Sequence, residues 1–379
     1  MKILAIICEF NPLHNGHEYL IRRAREESGA DAVLCIMSGC FTQRGEMCRN
    51  DKYTRAKHAI LSGADAVIEL PAPFAVAPAE IFARGAIKML TAIPQVSALA
   101  FGYECGNKQD FINAARILNE ESEIFRATLE NSLNSGESYI KSYCAAFSAC
   151  GADGQFISSP NNILAVEYVK ALFNSSETVD ILPIQRIGAD FNDGQLYGNF
   201  SSASGIRANA ENPAVKENMP FHSYADFTSV KDNSGRFERL AADWLYLCDK
   251  DNLKRVYGCT EGLENRLKAL SFGNSFDKIV ELGATKRYSK ARIRRILTAN
   301  LLNLYSDEAE KMLSVDLPLK ILAVKRERAN ELLPLLSNQI ANNEWAEKCT
   351  QLTSRAYALW RHLSSPLIHD NPDEKMILI

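Results

Sequence analysis

CEFNPLHNGHEYL, residues 8 to 20, follows on the apolar run KILAIIC (2–8) and breaks it at once with Asn11-Pro12. A run of that length, rich in β-branched residues, has the character of a buried parallel strand, and Asn-Pro is turn chemistry that stops it. His14 and His17, with Gly16 between them, therefore stand where a strand hands over to a helix. The first turn of a helix carries unpaired N–H groups and the positive end of the dipole. Gly16 lets a ligand come close to that backbone, and phosphate is the natural guest. A neutral imidazole donates a hydrogen bond to phosphate, and an imidazolium adds positive charge. The purely structural alternative is that both histidines cap the turn.

Outward from this junction the first half of the chain alternates strand-like and helix-like segments, which is the pattern of a parallel α/β sheet. Strands are predicted at 2–8, 30–39, 64–71, 97–104 and 179–187, with helices at 17–28, 51–62, 79–92 and 160–174. The segment 108–150 has helical period and is predicted to be a helical insertion. The expected architecture is a Rossmann-like α/β core over 1–210, followed by a mainly helical region over 211–379.

Ligands of open α/β sheets bind at strand ends, and four predicted ends carry polar groups. The first has His14 and His17. The second has SGCFTQRGE (38–46), with Ser38, Gln43, Arg44 and Glu46. The fourth ends in Phe101-Gly102-Tyr103-Glu104. The fifth is followed by Arg186 and then by SSASGIR (201–207), a serine-rich helix start closed by Arg207. Serine hydroxyls at a helix start and a nearby guanidinium form a second phosphate-binding device. Of Asn161 and Asn162, one is expected to cap the helix after Pro160 and the other to face a nucleotide.

A net charge of −3 gives no global field for a polyanion, so a nucleic-acid partner needs a local basic patch. The run ATKRYSKARIRRILTANLL (284–302) supplies one, with no acidic residue. Read as a helix, it turns Ile293, Ile296, Leu297, Asn300 and Leu301 towards one side and sets Arg287, Lys290 and Arg294 on another. Tyr288 adds a surface for base stacking. The bland alternative is a solvated helix face. The ten cysteines form no C-x-x-C pair, which disfavours a zinc site. No targeting or membrane-spanning segment is expected, so cytoplasmic residence is the default.

EFNPLHNGH (9–17), MSGCFTQRGE (37–46), ADAVIELP (64–71), FARGAIKML (82–90), FGYE (101–104), SSPNNILAVEYVKAL (158–172) and SSASGIR (201–207), in this order, resemble the bacterial tRNA(Met) cytidine acetate ligase family of the HIGH-motif nucleotidyltransferases. The likeness covers about the first 210 residues and continues loosely through TKRYSKARIRRIL (285–297). The family pattern is broken at Met47, Tyr103 and Asn192, where proline, a small residue and histidine are usual.

The resemblance implies an enzyme that makes acetyl-adenylate from ATP and acetate, with Mg²⁺ accompanying the triphosphate, and then acetylates N4 of the wobble cytidine of elongator tRNA(Met). It implies an ATP site of Ile7, Cys8, Glu9, Phe10, Asn11, Pro12, Leu13, His14, Asn15, Gly16, His17, Glu18, Tyr19 and Leu20, joined by Gly102, Asn162, Arg186, Ile187, Ser204 and Arg207. His14, His17 and Arg207 would be catalytic, and Ser38, Gln43, Arg44 and Glu46 would form a second loop at the acetate. Arg287, Lys290, Arg294 and Arg295 would contact tRNA. No protein metal site, membrane, DNA or obligate protein partner is expected. Adenylate chemistry needs positioning and positive charge more than a protein nucleophile, and Lys52 and Arg55 are further cationic candidates. The base that deprotonates the cytidine amine stays open among Glu9, Glu46 and Asp51. Two alternatives remain: an adenylyl- or cytidylyltransferase acting on a small phosphate monoester, and a catalytically idle nucleotide-binding RNA adaptor.

Overall fold

The computed structural model describes residues 1–175, 177–188, 194–196, 198–337, 343–364 and 374–379, so the departure at Asn192 lies outside the described residues. β1 (Ile3–Cys8), β2 (Ala32–Ser38), β3 (Ala66–Leu70), β4 (Val96–Tyr103), β5 (Asp180–Gln185), β6 (Ile321–Val324) and β7 (Ile377–Leu378) form one sheet in the order β5-β4-β1-β2-β3-β6-β7. β1 to β5 are mutually parallel, and each lies within two residues of its predicted bounds. β2 and β3 are buried at every position, because helices cover both faces of the sheet.

The connection order places the site. From β1 the chain steps outward to β2 and β3, and the helix Ala79–Thr91 then carries it back to β4 on the other side of β1. The strand order therefore reverses between β1 and β4, and a crevice opens at their carboxyl ends. The predicted insertion is three helices, Lys108–Glu120, Glu123–Asn134 and Tyr139–Ala149, packed through buried Phe111, Phe125 and Phe147.

The C-terminal half is mostly helical but adds two strands the sequence does not announce. β6 pairs antiparallel with β3, Val67 opposite Ala323, and β7 pairs parallel with β6. The sheet thus draws on both sides of residue 210. The basic run is a second departure, since its helix spans Lys290–Leu302 rather than 284–302. The Thr285 hydroxyl accepts from the N–H groups of Arg287 and Tyr288, both at 3.1 Å, and Ser289 caps the helix through the Arg292 N–H. Local side-chain bonds of this kind compete with helical ones and delay the start. No helix among the described residues is long and apolar enough to cross a membrane.

Arg55 ties together the backbone at the ends of β1 and β2. It is 1% exposed and donates to the carbonyls of Asn50 (3.1 Å), Glu9 (2.5 Å), Ser38 (3.2 Å) and Gly39. One guanidinium therefore satisfies carbonyls at the carboxyl ends of both β1 and β2.

Candidate functional site

The turn after β1 is constrained. Phe10 has φ +49, in the left-handed region that a side chain disfavours, and Asn11-Pro12 is cis. His14 then caps the helix Asn15–Ser28, its Nδ1 accepting from the Gly16 N–H at 3.1 Å, and the His17 Nδ1 accepts from the His14 N–H at 3.3 Å. This is a capping box built from two histidines, so the structural alternative raised by the sequence is correct for Nδ1 of both. It also prepares the second nitrogen: with Nδ1 accepting, a neutral ring carries its proton on Nε2 and is a donor there. The rings stack with centroids 3.7 Å apart, and Phe10 meets His17 edge-on at 4.9 Å.

Burial, with Arg186 nearby, pushes His17 down to about 3 and holds His14 well below the usual histidine range, where His17, Arg186 and Arg207 add to the effect. Both act as neutral donors near pH 7, so positive charge comes from arginines. Unfolded histidines titrate near 6.5. As pH falls below that value the unfolded chain takes up protons that these two folded histidines refuse, so their contribution to stability declines. We expect the His17 ring resonances not to titrate between pH 8 and 5 in a ¹³C-resolved NMR series. The urea midpoint should fall over the acid part of that range.

Around the histidines lies a cavity of about 420 Å³, lined from β1 by Ile7, Cys8 and Glu9, from β4 by Phe101 and Gly102, and from the end of β5 by Ile184 to Ile187. Phe10, Asn11, Gly16, Tyr19, Leu20, Gln43, Arg44, Glu46, Ser204 and Arg207 complete the predicted share of its wall. Gly102 packs closely on Arg186: a Cβ there would stand 3.3 Å from the Arg186 Cγ. Arg207 donates to the Asn11 carbonyl at 2.6 Å and to Glu46 Oε2 at 2.7 Å, and Arg294 stands 3.5 Å from Glu46 Oε1. The Glu9 Oε1 accepts from the Gln43 N–H at 2.6 Å and from the Ser38 hydroxyl at 3.4 Å.

Several predicted residues have other work. Asn162 is fully buried and spends its amide on the Glu104 N–H and the Cys105 and Phe156 carbonyls, while Asn161 lines the cavity. Asn15 ties down the carbonyls of Asn199 and Glu217, Leu13 is core, and Pro12 and Glu18 lie outside the lining. Ser38 acts through Glu9. Lys52 is fully buried with Glu69 at 2.8 Å and Glu374 at 3.0 Å, and Arg55 serves carbonyls, so neither side chain is part of the cavity wall. Asp51 is an N-cap, accepting from the Tyr53 and Thr54 N–H groups. Thr42, Tyr168, Phe200 and Ser289 line the cavity without having been predicted: all but Phe200 lie inside the quoted motif stretches, whose residue types did not show which positions face the cavity.

The basic helix is docked on the second loop. The Thr298 hydroxyl donates to the Gly45 carbonyl at 2.7 Å and Arg295 to the Gln43 carbonyl at 3.3 Å. Gly45, at φ +76, lets the loop approach the helix so closely that a Cβ would lie 2.7 Å from the Arg295 Cα. Burial lowers Arg295 to about 10. Arg294 and Arg295 thus face the loop, while Arg287, paired with Glu261 at 2.9 Å, and Lys290 are exposed.

The HIGH Nucleotidyl Transferase family model matches residues 1–364. A tRNA(Met) cytidine acetate ligase of Acetivibrio thermocellus is 36% identical over 337 residues, covering 84% of this chain and 81% of that protein. One of Clostridium kluyveri is 31% identical, covering 98% of this chain and 100% of that protein. The crystal structure of Thermotoga maritima TmcAL in its apo form superposes with a TM-score of 0.87 at 28% identity, covering 96% of this chain and 95% of that one. The same protein bound with alpha-thio ATP gives a TM-score of 0.85 at 27% identity.

Proposed function

The chain belongs to the HIGH nucleotidyltransferases and, within them, to the tRNA(Met) cytidine acetate ligases, and from that premise we propose the reaction its cavity performs. Acetate attacks the α-phosphorus of ATP, pyrophosphate leaves, and acetyl-adenylate forms. N4 of the wobble cytidine of elongator tRNA(Met) then takes the acetyl group and AMP leaves. The observation that supports this most is the convergence, at one switch-point cavity, of two imidazoles fixed as Nε2 donors with Arg186 and Arg207. Charge grows on the α-phosphoryl oxygens and the departing pyrophosphate, where pre-placed donors and cations stabilise it without reorganising. Arg207 lines the cavity while anchored to the Asn11 carbonyl and Glu46, so its charge is pre-placed for phosphate, and Ser204 adds a hydroxyl to the same wall.

Mg²⁺ enters as the companion of the triphosphate. No group of three or more His, Cys, Asp or Glu among the described residues is placed to hold a metal, and both cavity carboxylates already accept from protein donors. The donor set fits an ion carried by phosphate oxygens and water, which would offset phosphate charge. The enzyme works in the cytoplasm, alongside its tRNA.

The test is incubation with ATP, labelled acetate and unmodified tRNA(Met) transcript, omitting each in turn. Label in RNA only when all three are present is the expected result. No label, with pyrophosphate released when small phosphate monoesters replace acetate, would move the chain to the metabolite nucleotidyltransferases.

We assign tRNA contact to the exposed Arg287 and Lys290. Arg287→Gln with Lys290→Gln should weaken tRNA binding and lower the slope of log affinity against log salt by about 1 for each phosphate that is no longer neutralised. An unchanged slope refutes the assignment.

A further inference from the structure

Once acetyl-adenylate exists, the cytidine amine must lose a proton as it attacks, and the cavity offers few groups able to take it. His14 and His17 have their Nδ1 lone pairs occupied by backbone N–H groups, and Nε2 bears the proton. Burial pushes Cys8 and Tyr168 up, so both keep their protons. Glu46 has a guanidinium against each carboxylate oxygen, Arg207 at 2.7 Å on Oε2 and Arg294 at 3.5 Å on Oε1, which leaves neither oxygen turned to the amine. Asp51 is spent on its helix cap.

Resting on the reading above, we propose that Glu9 is the general base of the acetyl-transfer step. Its carboxylate lines the cavity at the end of β1, five residues before His14. The Gln43 N–H and the Ser38 hydroxyl both bond to Oε1, which fixes the carboxylate plane and reserves Oε2 for the amine. Its neighbours are Ser38 and Gln43, the cations of Arg44 and Arg55, the carboxylate of Glu46, the thiols of Cys8 and Cys48, and the Tyr168 phenol. Burial is the largest influence and raises Glu9 from its ordinary value, against the lowering by the Gln43 N–H, Arg44 and Arg55, which is the direction a base needs. The step balances: N4 bonds to the acetyl carbon, the bond from that carbon to the phosphate oxygen breaks, AMP departs with that oxygen, and the N4 proton passes to Glu9 and then to water.

Synthetic acetyl-adenylate mixed with enzyme and tRNA isolates this step from activation. In wild type, single-turnover transfer should rise with pH along one acid limb and then level off. Glu9→Gln, which preserves the acceptor for the Gln43 N–H, should transfer about 10²-fold more slowly or worse and lose that limb. Glu9→Asp, which keeps a carboxylate one methylene shorter, should retain the limb at a reduced rate, and it serves as the test should the glutamine variant not fold. Wild-type rate with an unchanged limb in Glu9→Gln overturns the assignment and makes the adenylate phosphate or solvent the acceptor. If wild type transfers nothing from acetyl-adenylate, the functional reading itself fails and Glu9 loses its role with it.

Discussion

Replacing His17 with alanine should lower acetate-dependent exchange of pyrophosphate into ATP by about 10²- to 10³-fold, or ~3–4 kcal/mol of transition-state stabilisation. The magnitude follows from geometry. The His17 Nδ1 is fixed by the His14 N–H, so Nε2 is a donor aimed without further ordering, and burial keeps the ring neutral far below neutral pH. The same substitution removes half of a capping box, which costs about 1 kcal/mol of stability. A melting curve therefore separates the two losses: a small shift with a large drop in exchange is the expected pair. Near-normal exchange would remove His17 from the chemistry and leave it a cap.

Arg55→Leu should destabilise the fold by about 3–5 kcal/mol, because it takes the guanidinium away from four backbone carbonyls, of which only that of Gly39 keeps a second, weak donor, the Cys48 thiol at 3.8 Å. Those carbonyls belong to Glu9, Ser38, Gly39 and Asn50, so the cost falls on both loops that wall the crevice. Arg55→Lys keeps the charge but cannot reproduce the fork, and should recover less than half of the loss. Denaturant unfolding at constant slope measures both. A change below about 1 kcal/mol for the leucine variant would mean that the loops hold themselves.

The central sheet was legible because its strands are continuous apolar runs bounded by turn residues, and continuous runs mean burial on both faces. β6 was not, since ILAV (321–324) is too short to distinguish from a helical fragment, and its partner β3 lies some 250 residues earlier. The start of the basic helix was misread for a local reason, the Thr285 hydroxyl capturing N–H groups that a helix would have used. Within the site, His14, Gly16, His17 and Arg207 stood out as chemistry-bearing types at junctions, and all four line the cavity. Asn161 and Asn162 show the limit: adjacent identical residues differ in role through helix phase alone, one facing the cavity and the other its supporting backbone. Arg294 and Arg295 show another, since charge in a sequence says nothing about whether a loop will be docked upon it.

The antiparallel seat of β6 beside β3 has a consequence for synthesis. A ribosome releases β1, β2 and β3 within the first 70 residues, yet the strand that covers the outer edge of β3 emerges some 250 residues later. Throughout that interval the nascent chain presents an open, wholly buried-type strand edge, the kind that pairs with a neighbouring chain on a polysome. Completion of the sheet is therefore a late event in translation. It rests on a short strand whose partners, β3 on one side and β7 on the other, are translated some 300 residues apart.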